Sequence, residues 1–153
     1  MRLELASELE TTQLGRTLAE ALIWPFVLFL KGDLGAGKTT LMRGLVQSLG
    51  HKGRVKSPTY GIAETYAINE KSCVHMDLYR IADPDEIEYL GVLDNLGDKS
   101  LLAVEWPEKG AEGLPAPDLE LEMAHLGEGR VVTIRACSTS GKAVYEALLK
   151  SHF

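Results

Sequence analysis

The stretch Gly32-Asp33-Leu34-Gly35-Ala36-Gly37-Lys38-Thr39 has the residue types and the G-x-x-x-x-G-K-[ST] spacing to hold a polyphosphate. Glycines let successive backbone N–H groups turn inward on phosphate oxygens, and the helix N-terminus behind them adds the positive end of its dipole. Lys38 is placed to reach the β- and γ-phosphates. The Thr39 hydroxyl is the kind of oxygen ligand that Mg²⁺ takes when it bridges phosphates. Two acids have the chemistry to complete such a site, Asp77 at the end of Cys73-Val74-His75-Met76-Asp77 and Glu105 at the end of Leu101-Leu102-Ala103-Val104-Glu105. Phosphoryl transfer from a nucleoside triphosphate needs charge neutralised and an attacking oxygen placed in line, and two carboxylates can divide that work. Glu105 ends the cleaner apolar run and is assigned to the metal, Asp77 to the water, with the reverse division left open.

These groups converge only if particular elements carry them. The apolar run Phe26-Val27-Leu28-Phe29-Leu30 before the glycine loop reads as a buried strand. Leu41, Leu45 and Leu49 after it, four residues apart, read as a helix closed by Gly50. In an open α/β sheet the ligand sits beyond the carboxyl ends of the strands, where the loop, Asp77 and Glu105 would all arrive. Ser57-Pro58-Thr59 opens the next strand region, since Pro58 pushes Ser57 out of the helical range; the two hydroxyls there could touch the γ-phosphate or simply cap a turn.

Elsewhere, Ser7-Glu8-Leu9-Glu10 has the spacing of a capping box, with Leu14, Leu18, Ala21 and Leu22 as a buried stripe and Pro25 as the stop. Asn69-Glu70-Lys71 suits a hairpin turn. Asp83-Pro84-Asp85-Glu86 starts a short helix whose Ile87, Leu90 and Leu93 should face the core. Leu119, Leu121 and Met123 alternate with Glu120 and Glu122 in a half-exposed antiparallel strand, paired through Gly127-Glu128-Gly129 with Val131 to Ile134. A last helix from about Ser140 to Leu149 should bury Val144, Ala147 and Leu148.

The 153 residues are read as one domain with an ordinary globular composition, 45% hydrophobic and 25% charged. A formal net charge of -6 argues against direct binding of nucleic acid, which needs a basic stripe, so any work on RNA would pass through a partner. Cys73 and Cys137 stand far apart and fit a reducing cytosol. Cys73, His75 and Asp77 share one strand face, but such ligands converge poorly on a zinc ion. No apolar run is long enough to span a bilayer, and Met1-Arg2-Leu3-Glu4 is followed by acidic residues rather than an apolar core, so neither membrane insertion nor export is expected.

Four stretches together resemble the TsaE (YjeE) family: Gly32 to Thr40, Val55-Lys56-Ser57-Pro58-Thr59-Tyr60, His75-Met76-Asp77-Leu78-Tyr79-Arg80, and Glu105-Trp106-Pro107-Glu108. The resemblance runs from the first helix to the Gly129-Arg130 turn. It implies a three-layer α/β P-loop NTPase fold with a mixed, mainly parallel central sheet and antiparallel additions. It implies slow, Mg²⁺-dependent ATP hydrolysis in the cytoplasm, in assembly with TsaB and TsaD, which transfer the threonylcarbamoyl group to adenosine of tRNA. On this resemblance the loop from Gly32 to Thr40 binds nucleotide, Thr39 and Glu105 hold Mg²⁺, and Asp77 activates water. Trp106 stands beside the site, with Glu8 and Arg130 flanking the nucleotide. His75 is read as structural or as orienting the neighbouring acid. ATP is favoured over GTP because no N-K-x-D tetrapeptide occurs. The alternatives are a small-molecule kinase, disfavoured by the lack of a lid-sized insertion, and a nucleotide-gated binding module.

Overall fold

The computed structural model describes residues 1–58 and 61–151, so Thr59 and Tyr60 lie outside the described residues. One seven-stranded sheet organises them, in the order β1-β7-β6-β2-β5-β4-β3. Here β1 is Arg2–Leu5, β2 Phe26–Lys31, β3 Ala63–Ile68, β4 Lys71–Asp77, β5 Ser100–Glu105, β6 Leu119–Leu126 and β7 Gly129–Ala136. The four central strands run parallel, through the pairs β6/β2, β2/β5 and β5/β4. The remaining pairs, β1/β7, β7/β6 and β3/β4, are antiparallel additions at the edges. The strand β6, read from its alternation as antiparallel, is therefore antiparallel only on its β7 side and parallel to β2 on the other. Its Leu119, Leu121 and Met123 are buried while Glu122 is exposed, as the alternation requires.

Alternation along β2, β4 and β5 divides two cores. Phe26, Leu28, Leu30, Cys73, Leu101 and Ala103 pack on one face with Leu14 and Leu18 of helix α1 (Glu8–Ala21), Leu41 and Leu45 of α2 (Lys38–Ser48), and Val144 and Leu148 of α4 (Thr139–Lys150). Phe29, Val74, Met76, Leu102 and Val104 pack on the other face with Leu78, Ile81 and Ile87, the last from the short helix α3 (Asp85–Leu90). Because side chains alternate, His75, Asp77 and Glu105 must share the face of α2.

Helix α1 starts where the capping residues predict. The Ser7 hydroxyl accepts the Glu10 N–H at 3.3 Å, and the Glu10 carboxylate reaches back to the Ala6 N–H at 2.6 Å. It ends at Ala21, before Pro25 is reached, and Ala21 and Leu22 are only half-buried. Gly15 and Gly44 let α1 and α2 meet backbone to backbone, since a Cβ on either would overlap a carbonyl oxygen of the other helix. That contact fixes the first turns of both helices around one opening. In α3 the Asp83 carboxylate accepts the Asp85 N–H at 3.0 Å, with Pro84 at the cap position; Ile87 is buried as expected, whereas Leu90 is 39% exposed because the helix ends there at Gly91. Ala147 likewise faces solvent, one position off the α4 stripe. Among the described residues no helix is long and apolar enough to cross a membrane.

Candidate functional site

The glycine loop joins β2 to α2 at the carboxyl edge of the parallel strands. Gly37 caps α2 with φ at +105°, a conformation that disfavours any side chain, and it offers no side-chain acceptor to the first helical turn. That turn also contains no acid. Its N–H groups and dipole therefore lack the anionic partner that a helix start usually recruits, and Lys38 adds a positive charge there. This is the electrostatic signature of a phosphate site.

Lys38 is 5% exposed, donates to the Gly32 carbonyl, and lies 4.3 Å from the centroid of the Trp106 ring. Burial pushes its pKa down, against the opposing pull of Glu105, Asp77, Glu108 and Asp33. The lysine is thus desolvated, with the nearby acids offsetting part of that effect. Asp77 and Glu105 are register partners at the ends of neighbouring parallel strands, and each is 3% exposed. The Asp77 carboxylate accepts the Ser57 hydroxyl at 2.6 Å and the Tyr79 N–H at 3.0 Å. Glu105 Oε2 lies 2.6 Å from His75 Nε2.

A cavity of about 480 Å³ opens onto these groups. Of the residues singled out in the sequence, it brings together Leu34, Gly35, Gly37, Lys38, Thr39 and Thr40 from the loop and helix. Ser57, Asp77, Glu105, Trp106, Glu8 and Arg130 complete that set. Gly32, Asp33 and Ala36 do not line it. They shape the loop instead, with the buried Ala36 donating its N–H to the Asp33 carbonyl at 3.1 Å and Gly32 accepting from Lys38. Thr59 lies outside the described residues.

Arg130 reaches the loop from the start of β7, where its guanidinium donates to the Gly35 carbonyl at 3.0 Å and to that of Gly129 at 2.7 Å. Its Nε is buried without a hydrogen-bond partner among the described residues. Trp106 holds φ at +56°, a strained left-handed turn, and rests 5.1 Å from the Tyr79 ring. Sequence reasoning passed over Ser7, Thr11, Glu128 and Gly129, which also line the cavity. A signal existed for Thr11: a hydroxyl within the apolar stripe of α1, 2% exposed. Ser7 was masked by its capping role, and Glu128 and Gly129 by their turn.

Thr39 and Glu105 offer oxygen donors of the hard type that suits Mg²⁺. Among the described residues no group of three or more His, Cys, Asp or Glu side chains could hold a metal by itself. The protein donors thus fit an ion that completes its shell with phosphate oxygens and water.

A glycine loop between a central parallel strand and its helix, with acids at the ends of two neighbouring strands, defines a P-loop NTPase fold. The chain belongs to the TsaE family: the model of "Threonylcarbamoyl adenosine biosynthesis protein TsaE" matches residues 5–132. It is 40% identical over 145 residues to the tRNA threonylcarbamoyladenosine biosynthesis protein TsaE of Haemophilus influenzae, covering 92% of each chain. A TsaE of Borreliella burgdorferi is 35% identical over 136 residues, covering 88% of this chain and 98% of that one. Among solved structures, Bacillus subtilis YdiB superposes with a TM-score of 0.78 at 30% identity, covering 98% of this chain and 94% of its own.

Proposed function

We propose that the chain is a single ATPase domain whose slow hydrolysis serves threonylcarbamoyladenosine formation in tRNA, acting on a TsaB–TsaD transferase assembly in the cytoplasm and reaching tRNA only through it. The observation that carries the ATPase reading is the gathering of Lys38, Thr39, Asp77 and Glu105 around one cavity at the N-terminus of α2. The relatives' names support the pathway, and the net charge of -6 favours a protein partner over direct contact with RNA.

In this mechanism the loop N–H groups and Lys38 bind the β- and γ-phosphates, with the lysine exchanging the Gly32 carbonyl for phosphate oxygens. Thr39 and Glu105 would hold Mg²⁺, which when bound supplies charge neutralisation on the phosphates. Asp77, oriented by Ser57 and the Tyr79 N–H, accepts a proton from the attacking water and aligns it. Trp106 covers Lys38 and excludes solvent from it. Arg130 and Glu8, which line the same cavity, flank the nucleotide.

The test is ATP hydrolysis by the purified chain with and without TsaB and TsaD, following labelled γ-phosphate. Feeble turnover alone, a change on adding partners and release of inorganic phosphate are expected. Transfer of the label to a metabolite, or fast turnover indifferent to the partners, would overturn the proposal.

A further inference from the structure

Behind the two acids lies a buried group that the mechanism above does not use. His75 is fully buried in β4, two positions before Asp77 and on the same strand face. Its Nε2 meets Glu105 Oε2 at 2.6 Å, across the strand pair. Its other nitrogen, Nδ1, is buried with no hydrogen-bond partner among the described residues.

The ring nitrogen that meets the carboxylate is Nε2. It engages Oε2 and leaves Oε1 with no hydrogen bond from the described residues, on a carboxylate that lines the nucleotide cavity.

We propose that His75 is a positioning residue for Glu105: by tying down Oε2 it fixes the carboxylate rotamer and presents the single oxygen Oε1 to the cation that accompanies the nucleotide. The idea rests on the assignment of Glu105 to that cation. An untied glutamate has three rotatable torsions and would lose part of its metal affinity to ordering. Partners that orient metal ligands in this way change affinity by about 10- to 100-fold when removed.

The experiment measures ADP affinity calorimetrically with Mg²⁺ and with EDTA, and takes the ratio as the metal-dependent gain. It compares the wild-type chain with His75→Leu, His75→Gln and Glu105→Ala, each checked for folding by its melting transition. The proposal expects His75→Leu to lose about 10- to 100-fold of the gain while ADP affinity in EDTA is unchanged. His75→Gln, which can still donate an N–H to Oε2, should restore it. An undiminished gain in His75→Leu, or a gain lost equally in a folded His75→Gln, overturns the positioning role. If His75→Leu does not fold, the decision rests on His75→Gln, which must keep the gain. A normal gain in Glu105→Ala overturns the assignment of Glu105 itself, and a loss there beside an intact His75→Leu overturns the positioning role alone.

Discussion

Replacing Asp77 by Asn removes one charge with almost no change of shape, and the surroundings of the carboxylate allow its consequences to be worked out. Asp77 is 3% exposed and accepts the Tyr79 N–H at 3.0 Å and the Ser57 hydroxyl at 2.6 Å. In Asp77→Asn the amide oxygen keeps the Tyr79 bond, and the amide nitrogen faces Ser57, whose hydroxyl rotates to accept, so neither bond is left without a partner. The exchange weakens a charge-assisted bond and removes one of the several acids that pull on the Lys38 charge, while Glu105, Glu108 and Asp33 remain. Stability should therefore change by no more than about 1 kcal/mol, which for a chain of this size is a shift in Tm of about 2–4 °C. Nucleotide affinity should be largely retained, because the loop is unchanged and Glu105, Glu108 and Asp33 still pull on the Lys38 charge. Loss of the proton acceptor should lower hydrolysis by about 10²- to 10⁴-fold. Phosphate release under multiple-turnover conditions, with ADP affinity measured in parallel, checks both halves. A folded Asp77→Asn chain within about threefold of wild-type turnover would refute the assignment of Asp77 to the water, since even modest general-base catalysis is worth more than that.

Two other outcomes follow from the structure. Gly15→Ala places a methyl group against the Leu41 carbonyl and 2.8 Å from the Leu45 nitrogen. Because both atoms belong to the backbone, the overpacking cost should be about 3 kcal/mol, which exceeds a helix-propensity gain of about 1 kcal/mol, so thermal melting should fall by roughly 4–8 °C, and an unchanged or raised Tm would contradict the close helix contact. Lys38 has its pKa lowered from 10.5 by burial, so between the lowered value and 10.5 the unfolded chain binds more protons at this group than the folded chain does. This group's contribution to stability consequently rises with pH across that window. Without nucleotide, the stability of wild type relative to Lys38→Met should increase from neutral toward alkaline pH, and a difference that stays flat in paired melting curves would count against the buried, desolvated lysine.

Much of the site is legible in the sequence because its central piece is contiguous. The loop from Gly32 to Thr39 needs no distant partner to declare its chemistry; the glycine positions and the lysine lie within two helical turns of one another. Alternation in Cys73 to Asp77 and Leu101 to Glu105 likewise tells which side chains share a face. The same local rules falter at element ends, where Leu90 and Ala147 have apolar side chains but lie at or off the buried stripe. The edge strand β1 escapes them too: its acidic Glu4 sits on an exposed face, and only pairing with β7 makes the segment a strand.

Chain identity thus determined the phosphate loop, the faces of the strands and the acids available to them. The tertiary structure alone decided which strands are neighbours: β5 lies between β2 and β4, so Asp77 stands opposite Glu105, and β7 brings Arg130 over Gly35. His75 meets Glu105 across thirty positions of sequence. The physical reason is that periodicity records only how a segment meets a core, whereas strand order and register are chosen by long-range pairing that buries all the apolar faces at once.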